Sequence, residues 1–305
     1  MFRKISYFLK IAVGFFLVFA RSNQVLCGEL TDKSMVFVVP SYNNSSWYES
    51  NLNSIKMQNY SNYRVIYVDD CSVDGTGELV EKWLRDNQCD YRVVYFDGSF
   101  SKDIPEVTAH YSSLINQERH QFTLVRNAKR EGAMCNFFRA VHSCDDHEIV
   151  VVTDGDDWLS RENVLSQLNA IYSSDRPVWL THGTFREYPW GGTSWSQPIP
   201  QEIIVSNRYR EFRCPSHMRT FYSWLFKRVK LEDFLYKGEF FAITCDMAMM
   251  FPMIEMAGER HAFISEVNYI YNMSNPIADQ VVNTQLQNDL DYFIRRKERY
   301  ARLEN

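Results

Sequence analysis

Residues 149–152 read Ile-Val-Val-Val, and three carboxylates, Asp154, Asp156 and Asp157, follow almost at once. Four β-branched residues without polar alternation do not suit a half-solvated strand. They fit one buried on both faces, as in a parallel sheet covered by helices. Three carboxylates so close repel one another unless a cation or hydrogen-bond donors hold them. Ligands of open α/β sheets bind just beyond the carboxyl ends of the strands. A D-x-D at that point therefore suits a divalent metal gripping an anionic group, most simply a nucleotide diphosphate. A solvated acidic turn would look the same in this stretch alone.

The rest of the chain repeats the pattern. Apolar runs at 35–39 (MVFVV), 63–68 (YRVIYV), 91–96, 122–125 and 178–181 read as further strands. Helical periodicity falls between them. Ser46 and Glu49 predict a capping box for a helix to about Met57. A second helix runs through Trp83 and Leu84. Residues 132–144 place Ala133, Phe137, Ala140 and Val141 on one helical face. Ser160 is expected to cap a helix carrying Val164, Leu168 and Ile171. This alternation predicts an α/β fold, a doubly wound, mostly parallel sheet with helices on both faces. Residues 214–228 and 244–258 read as helices and 263–271 as a strand. Residues 286–305 form an amphipathic C-terminal helix, its basic face solvated. The expected division is 29–180 as a ligand-binding half and 181–285 as a second half of the same domain.

The formal net charge of -5 offers no general attraction to nucleic acid. Residues 1–28 carry Arg3 and Lys4 before an apolar run at 11–20, the layout of a signal peptide or membrane anchor. They predict an exported protein, or one attached to a membrane through its N-terminus. Six of the seven cysteines lie beyond that leader without C-x-x-C spacing, too sparse for a disulfide framework. Residues 187–200 concentrate Trp190, Gly191, Gly192, Trp195, Pro198 and Pro200, a long loop or hairpin. It serves equally as a tryptophan platform for sugar rings or as a flap packed on the core.

Asp70, Ser72, Asp74, Gly75 and Glu81 match a calcium-loop pattern, but that motif needs an entering helix and 63–68 is strand-like. Four blocks then occur in order: VFVVPSYNN from residue 36, VIYVDDCSVDGT from 65, RNAKREGAMCNFFRAV from 126 and EIVVVTDGDDWL from 148. Together they resemble family 2 glycosyltransferases with the GT-A fold, over roughly residues 34–172 and more weakly at HMRTFYSWLFKRV and TCDMAMMFPMIEMAG.

The resemblance implies transfer of one sugar, with inversion, from a nucleotide-sugar donor, UDP-sugar foremost, to a glycan, lipid or protein hydroxyl. It implies a C-terminal acceptor-side region and Mn²⁺ or Mg²⁺ as cofactor. Pro40, Ser41 and Tyr42 match the first nucleotide-contacting loop and Asp70 the acid that meets the base. Asn127, Lys129, Arg130 and Gly132 match the block lining the donor. Asp154 and Asp156 match the D-x-D, with Asp156 the expected direct metal ligand and His217 a further candidate beside the metal. Asp246 matches the general base, although Cys245 stands where the family has a preceding acid. No Q-x-x-R-W block follows, which sets the chain apart from processive synthases. The competing expectation is a catalytically degenerate sugar- or nucleotide-binding protein of the same fold. A sugar-nucleotide pyrophosphorylase ranks lower, because PSYNN follows the first strand in place of a Gly-rich loop.

Overall fold

The computed structural model describes residues 32–277 and 284–304. The expected leader at 1–28 lies outside them. The first strand, β1 (Met35–Ser41), is buried at every position. Parallel neighbours flank it, β2 (Tyr63–Asp69) on one side and β5 (Ile149–Val152) on the other. The same parallel set extends outward through β4 (Phe122–Asn127) to β3 (Tyr91–Phe96). Beyond β5 come β8 (Thr220–Tyr222), β7 (Leu180–Tyr188), β11 (His261–Asn272) and β6 (Trp158–Leu159). They complete a nine-stranded mixed sheet in the order β3-β4-β2-β1-β5-β8-β7-β11-β6. A separate small hairpin joins β9 (Leu235–Tyr236) to β10 (Glu239–Phe240).

Alternate residues of β1 face opposite cores. Met35, Phe37 and Val39 pack with α1 (Tyr48–Lys56), α2 (Thr76–Asp86) and α5 (Val164–Tyr172). Val36 and Val38 pack with α3 (Ile104–Ile115), α4 (Ala133–His142), α7 (Ser223–Lys227), α8 (Cys245–Ala257) and α9 (Thr284–Arg295). The doubly wound reading holds, and strands from both expected halves, 29–180 and 181–285, enter one sheet. A short helix, α6 (Gln201–Val205), follows the Trp-rich segment. That segment opens as a hairpin, with Arg186 bridging Thr193. All six cysteines beyond the leader are free thiols. Among the described residues no helix is long and apolar enough to cross a membrane.

Three local expectations are corrected. Ser46 does not cap α1: the helix follows Trp47, and the Asn44 carbonyl accepts the Trp47 and Tyr48 amides. Ser160 does not cap α5, because its hydroxyl is drawn to the Val267 carbonyl at the sheet edge. Residues 214–228 are not one helix. Thr220, Phe221 and Tyr222 are β-branched or aromatic and fill the gap between β5 and β7, so only Ser223–Lys227 turns helical.

The C-terminal tail is docked. Leu290 and Ile294 are buried on α9, which ends at Arg295 rather than running over the expected 286–305. A buried ion pair fixes it. Arg210 grips Glu255 of α8 through two hydrogen bonds of 2.6 and 2.8 Å, and donates at 2.8 Å to the Ile294 carbonyl. The Tyr300 amide donates to the same carboxylate at 3.0 Å. Glu255 is 0 % exposed, so removing it strands a buried guanidinium. Glu255→Ala is expected to cost ~3–5 kcal/mol in urea denaturation, and Glu255→Met with Arg210→Met to recover most of that loss.

Candidate functional site

The carboxyl ends of β1, β2, β4 and β5 converge at the point where chain order reverses across the sheet. Asp70, just past β2, organises one side. Its Oδ1 accepts from the Asn127 side chain at 2.8 Å and the Glu131 amide at 2.9 Å, and its Oδ2 from the Gly132 amide at 2.8 Å. The Asp70 amide donates to the Ser41 carbonyl at 2.9 Å. Gly132 takes φ +87°, a conformation open to glycine, and leads directly into α4.

The first loop is built in the same way. Pro40 and Ser41 are buried. The Ser41 hydroxyl accepts from Tyr67 at 2.9 Å and from Asn44 at 3.0 Å. Both residues therefore form the floor of the cleft, and Tyr42 is the half-buried member of the three. The Arg130 guanidinium lies 3.9 Å from the Tyr42 ring centroid, a cation–π stack across the cleft. Lys129 is exposed, 3.4 Å from Glu131.

The acidic turn after β5 is held from three sides. The Asp157 amide donates to the Asp154 carbonyl at 3.1 Å, closing a tight turn. Asn51 on α1 donates to the carbonyls of Asp154 (3.0 Å) and Asp157 (2.8 Å). From β11, the Tyr269 hydroxyl accepts the Asp154 amide at 3.1 Å. Gly155 faces the first loop so closely that an added Cβ would meet Ser41 Oγ at 2.5 Å. No other residue fits there without parting the two loops.

The turn sorts its three acids. Asp156 turns aside, its Oδ2 accepting from Asn275 at 2.7 Å. Asp154 and Asp157 instead meet His217, with one ligand atom from each within 4.8 Å of the others. The expected metal group thus gathers as Asp154, Asp157 and His217, with Asp156 outside it. Asp157 is 1 % exposed; its Oδ1 accepts the Asn272 amide at 2.7 Å, while its Oδ2 has no hydrogen-bond partner. Burial, then the neighbouring Asp156 and Asp154, push its carboxyl well above the ordinary range. Burial, then Arg219, holds His217 well below the usual histidine value. Its ring stacks on Tyr269 at a centroid distance of 4.4 Å. An orphaned carboxylate oxygen beside a neutral imidazole and a second carboxylate is a donor set that fits a divalent cation.

Asp246 stands in the first turn of α8, one third exposed, 2.9 Å from Arg219. Burial works against the Arg219 charge, but Asp246 outweighs it and the guanidinium is held above its ordinary value. Arg219 also donates to the Pro215 carbonyl at 3.1 Å and reaches His217 Nδ1 at 3.4 Å. It thereby bridges the acidic turn and Asp246. The sequence reading named Asp157 among the three clustered carboxylates but not as a metal ligand, and it passed over Arg219. The D-x-D spacing draws attention to alternate positions, whereas a tight turn brings the first and fourth residues together. Asp154 with Asp157 around a central glycine was the available signal.

Residues 36–99 match the model of glycosyl transferase family 2. The chain is 24% identical over 135 residues to a protein of Streptococcus pneumoniae serotype 4 named glycosyltransferase GlyA, covering 44% of this chain and 14% of that one. Its fold is similar to S. aureus TarS 1–349 in complex with UDP, with TM-score 0.53 and 17% identity over 80% of this chain and 61% of that one. Against the same protein in complex with UDP-GlcNAc the TM-score is 0.53 at 14% identity, over 86% and 64%. The chain thus spans about one seventh of the curated relative and under two thirds of the TarS chains.

Replacing the orphaned acid separates stability from metal affinity. Asp157→Asn removes a buried carboxylate crowded by two others, so the metal-free protein is expected to gain ~1–3 kcal/mol in thermal or urea denaturation. The same variant is expected to lose Mn²⁺ binding by calorimetry at least tenfold.

Proposed function

We propose that this chain, whose residues 36–99 match the model of glycosyl transferase family 2, moves one sugar from a nucleoside-diphosphate donor to an acceptor hydroxyl, with inversion. One observation carries the reading. Asp154, Asp157 and His217 stand at the carboxyl ends of the sheet, and Arg219 links them to Asp246. A UDP-sugar is the favoured donor, in keeping with the UDP and UDP-GlcNAc bound by TarS.

Each residue has a role in that reaction. Tyr42 and Arg130, stacked face to face, offer a flat apolar surface and a cation to a nucleotide. Asp70 acts at one remove. Both its oxygens are engaged, so it shapes the loop at 127–132 that faces the donor rather than presenting a free carboxylate. Asp154, Asp157 and His217 would hold a divalent cation, Mn²⁺ or Mg²⁺. Bound there, the cation would offset the negative charge of the departing diphosphate. Asp246 accepts the proton of the acceptor hydroxyl while that oxygen bonds to the anomeric carbon and the bond to the diphosphate breaks. Arg219 holds Asp246 Oδ2, which fixes the carboxylate and leaves Oδ1 for the proton. A single base opposite the leaving group gives inversion.

The same Arg219–Asp246 pair favours a second reading, a binding protein of this fold without turnover, because Asp246 Oδ2 is already engaged and Cys245 stands where the resemblance expects an acid. Calorimetry of UDP, GDP and CDP with and without Mn²⁺, paired with release of nucleotide from the matching donor, separates the two. The expected outcome is metal-dependent UDP binding with turnover. Asp246→Asn should keep binding within about threefold and lower transfer by ~10²–10⁴. Binding without turnover in the unaltered protein selects the second reading; no nucleotide binding by folded protein ends both.

A further inference from the structure

The hairpin after β7 closes a slot that the donor side does not use. At its base is His182 of β7, 1 % exposed, with no hydrogen-bond partner at either ring nitrogen. Ile199, Cys214 and Pro215 form walls, and Trp195 and Arg213 the rim. The Arg213 guanidinium lies 5.2 Å from the Trp195 ring centroid, and Trp195 is 48% exposed. The enclosed volume is about 10 Å³, room for a single oxygen atom with its hydrogens.

A buried imidazole with both nitrogens bare is costly, and an apolar side chain of that size would serve packing better. Burial, then His261, pushes His182 down to about 3, so it is neutral at physiological pH. Neutral imidazole offers one donor and one acceptor in diverging directions, so a hydroxyl in the slot can meet one of the two. The slot is too small for a ring, but the exposed indole at its mouth supplies a flat apolar face on which a pyranose can rest. The slot also adjoins the proposed base. The Pro215 carbonyl in its wall accepts from Arg219, the residue paired with Asp246.

We propose that this slot is an acceptor subsite: a sugar ring of the acceptor lies on Trp195 and inserts one hydroxyl against a ring nitrogen of His182. This deepens the transferase reading above and rests on it.

The test uses the full chain saturated with whichever of UDP, GDP or CDP it binds, plus Mn²⁺. Methyl glycosides of glucose, galactose, mannose and N-acetylglucosamine are titrated in, followed by saturation-transfer NMR. At least one is expected to bind saturably in the millimolar range. Trp195→Ala and His182→Phe should each weaken it at least tenfold with nucleotide affinity unchanged. His182→Phe fills the slot without a polar group, and a melting midpoint at or above that of the unaltered protein shows the fold intact. Trp195→Ala alters an exposed residue and gives an independent reading. No glycoside binding while nucleotide still binds, or binding unchanged in both variants, overturns the subsite and leaves the donor site standing. No nucleotide binding at all overturns the transferase reading, and the subsite with it.

Discussion

The cleft depends first on the Asp70 carboxylate. It takes two backbone amides and one side-chain amide from a segment some sixty residues further along the chain. Without those contacts, residues 127–132 would enter α4 with unpaired donors and no fixed path. With them, the end of β2 is joined to the end of β4 and to the start of α4. The Asp70 amide adds β1 through Ser41. One residue thus sets the geometry of the loops on the donor side. Hydrogen bonds to a charged acceptor contribute about 1.5–3 kcal/mol each, enough to dominate local order here.

The acidic turn shows the opposite balance. Asp157 is buried with an unsatisfied oxygen near two other carboxylates, an arrangement that lowers the stability of the empty fold. The surroundings compensate. Asn51 fixes the turn carbonyls, Tyr269 takes an amide, Asn275 draws Asp156 aside, and Gly155 lets the turn lie against Ser41. Such concentrated support for an unfavourable group is what a cation-binding centre requires, since its ligands must be in place before the ion arrives.

Much of this was legible from residue order. Consecutive β-branched runs gave β1, β2 and β5 because a strand buried on both faces leaves no other pattern. The four blocks placed Asp70, Asn127, Gly132 and Asp154 near the strand ends, and the weaker segment at 244–258 supplied Asp246. What escaped depends on distant partners. Ser46 and Ser160 carry good capping chemistry, but Asn44 and Val267 decide what happens there. Thr220 to Tyr222 sits in a stretch with helical spacing and becomes a strand because β5 and β7 each lack a neighbour. Arg219 is unremarkable in the sequence; only folding puts it between His217 and Asp246. The D-x-D pattern named Asp156, and a turn geometry that spacing does not reveal brought Asp157 inward instead.

Arg219 also sets how the two halves of the proposed reaction communicate. Its guanidinium is buried, so its field is poorly screened by water. It contacts His217 on the metal side and Asp246 on the acceptor side, and it feels Asp154 as well. Negative charge arriving with a diphosphate competes with Asp246 for the same cation. In the proposed reaction that competition would loosen the contact at Asp246 Oδ2. Loss of the diphosphate returns Arg219 to Asp246. Arg219 is thus a side chain that touches both the candidate metal group, through His217, and Asp246.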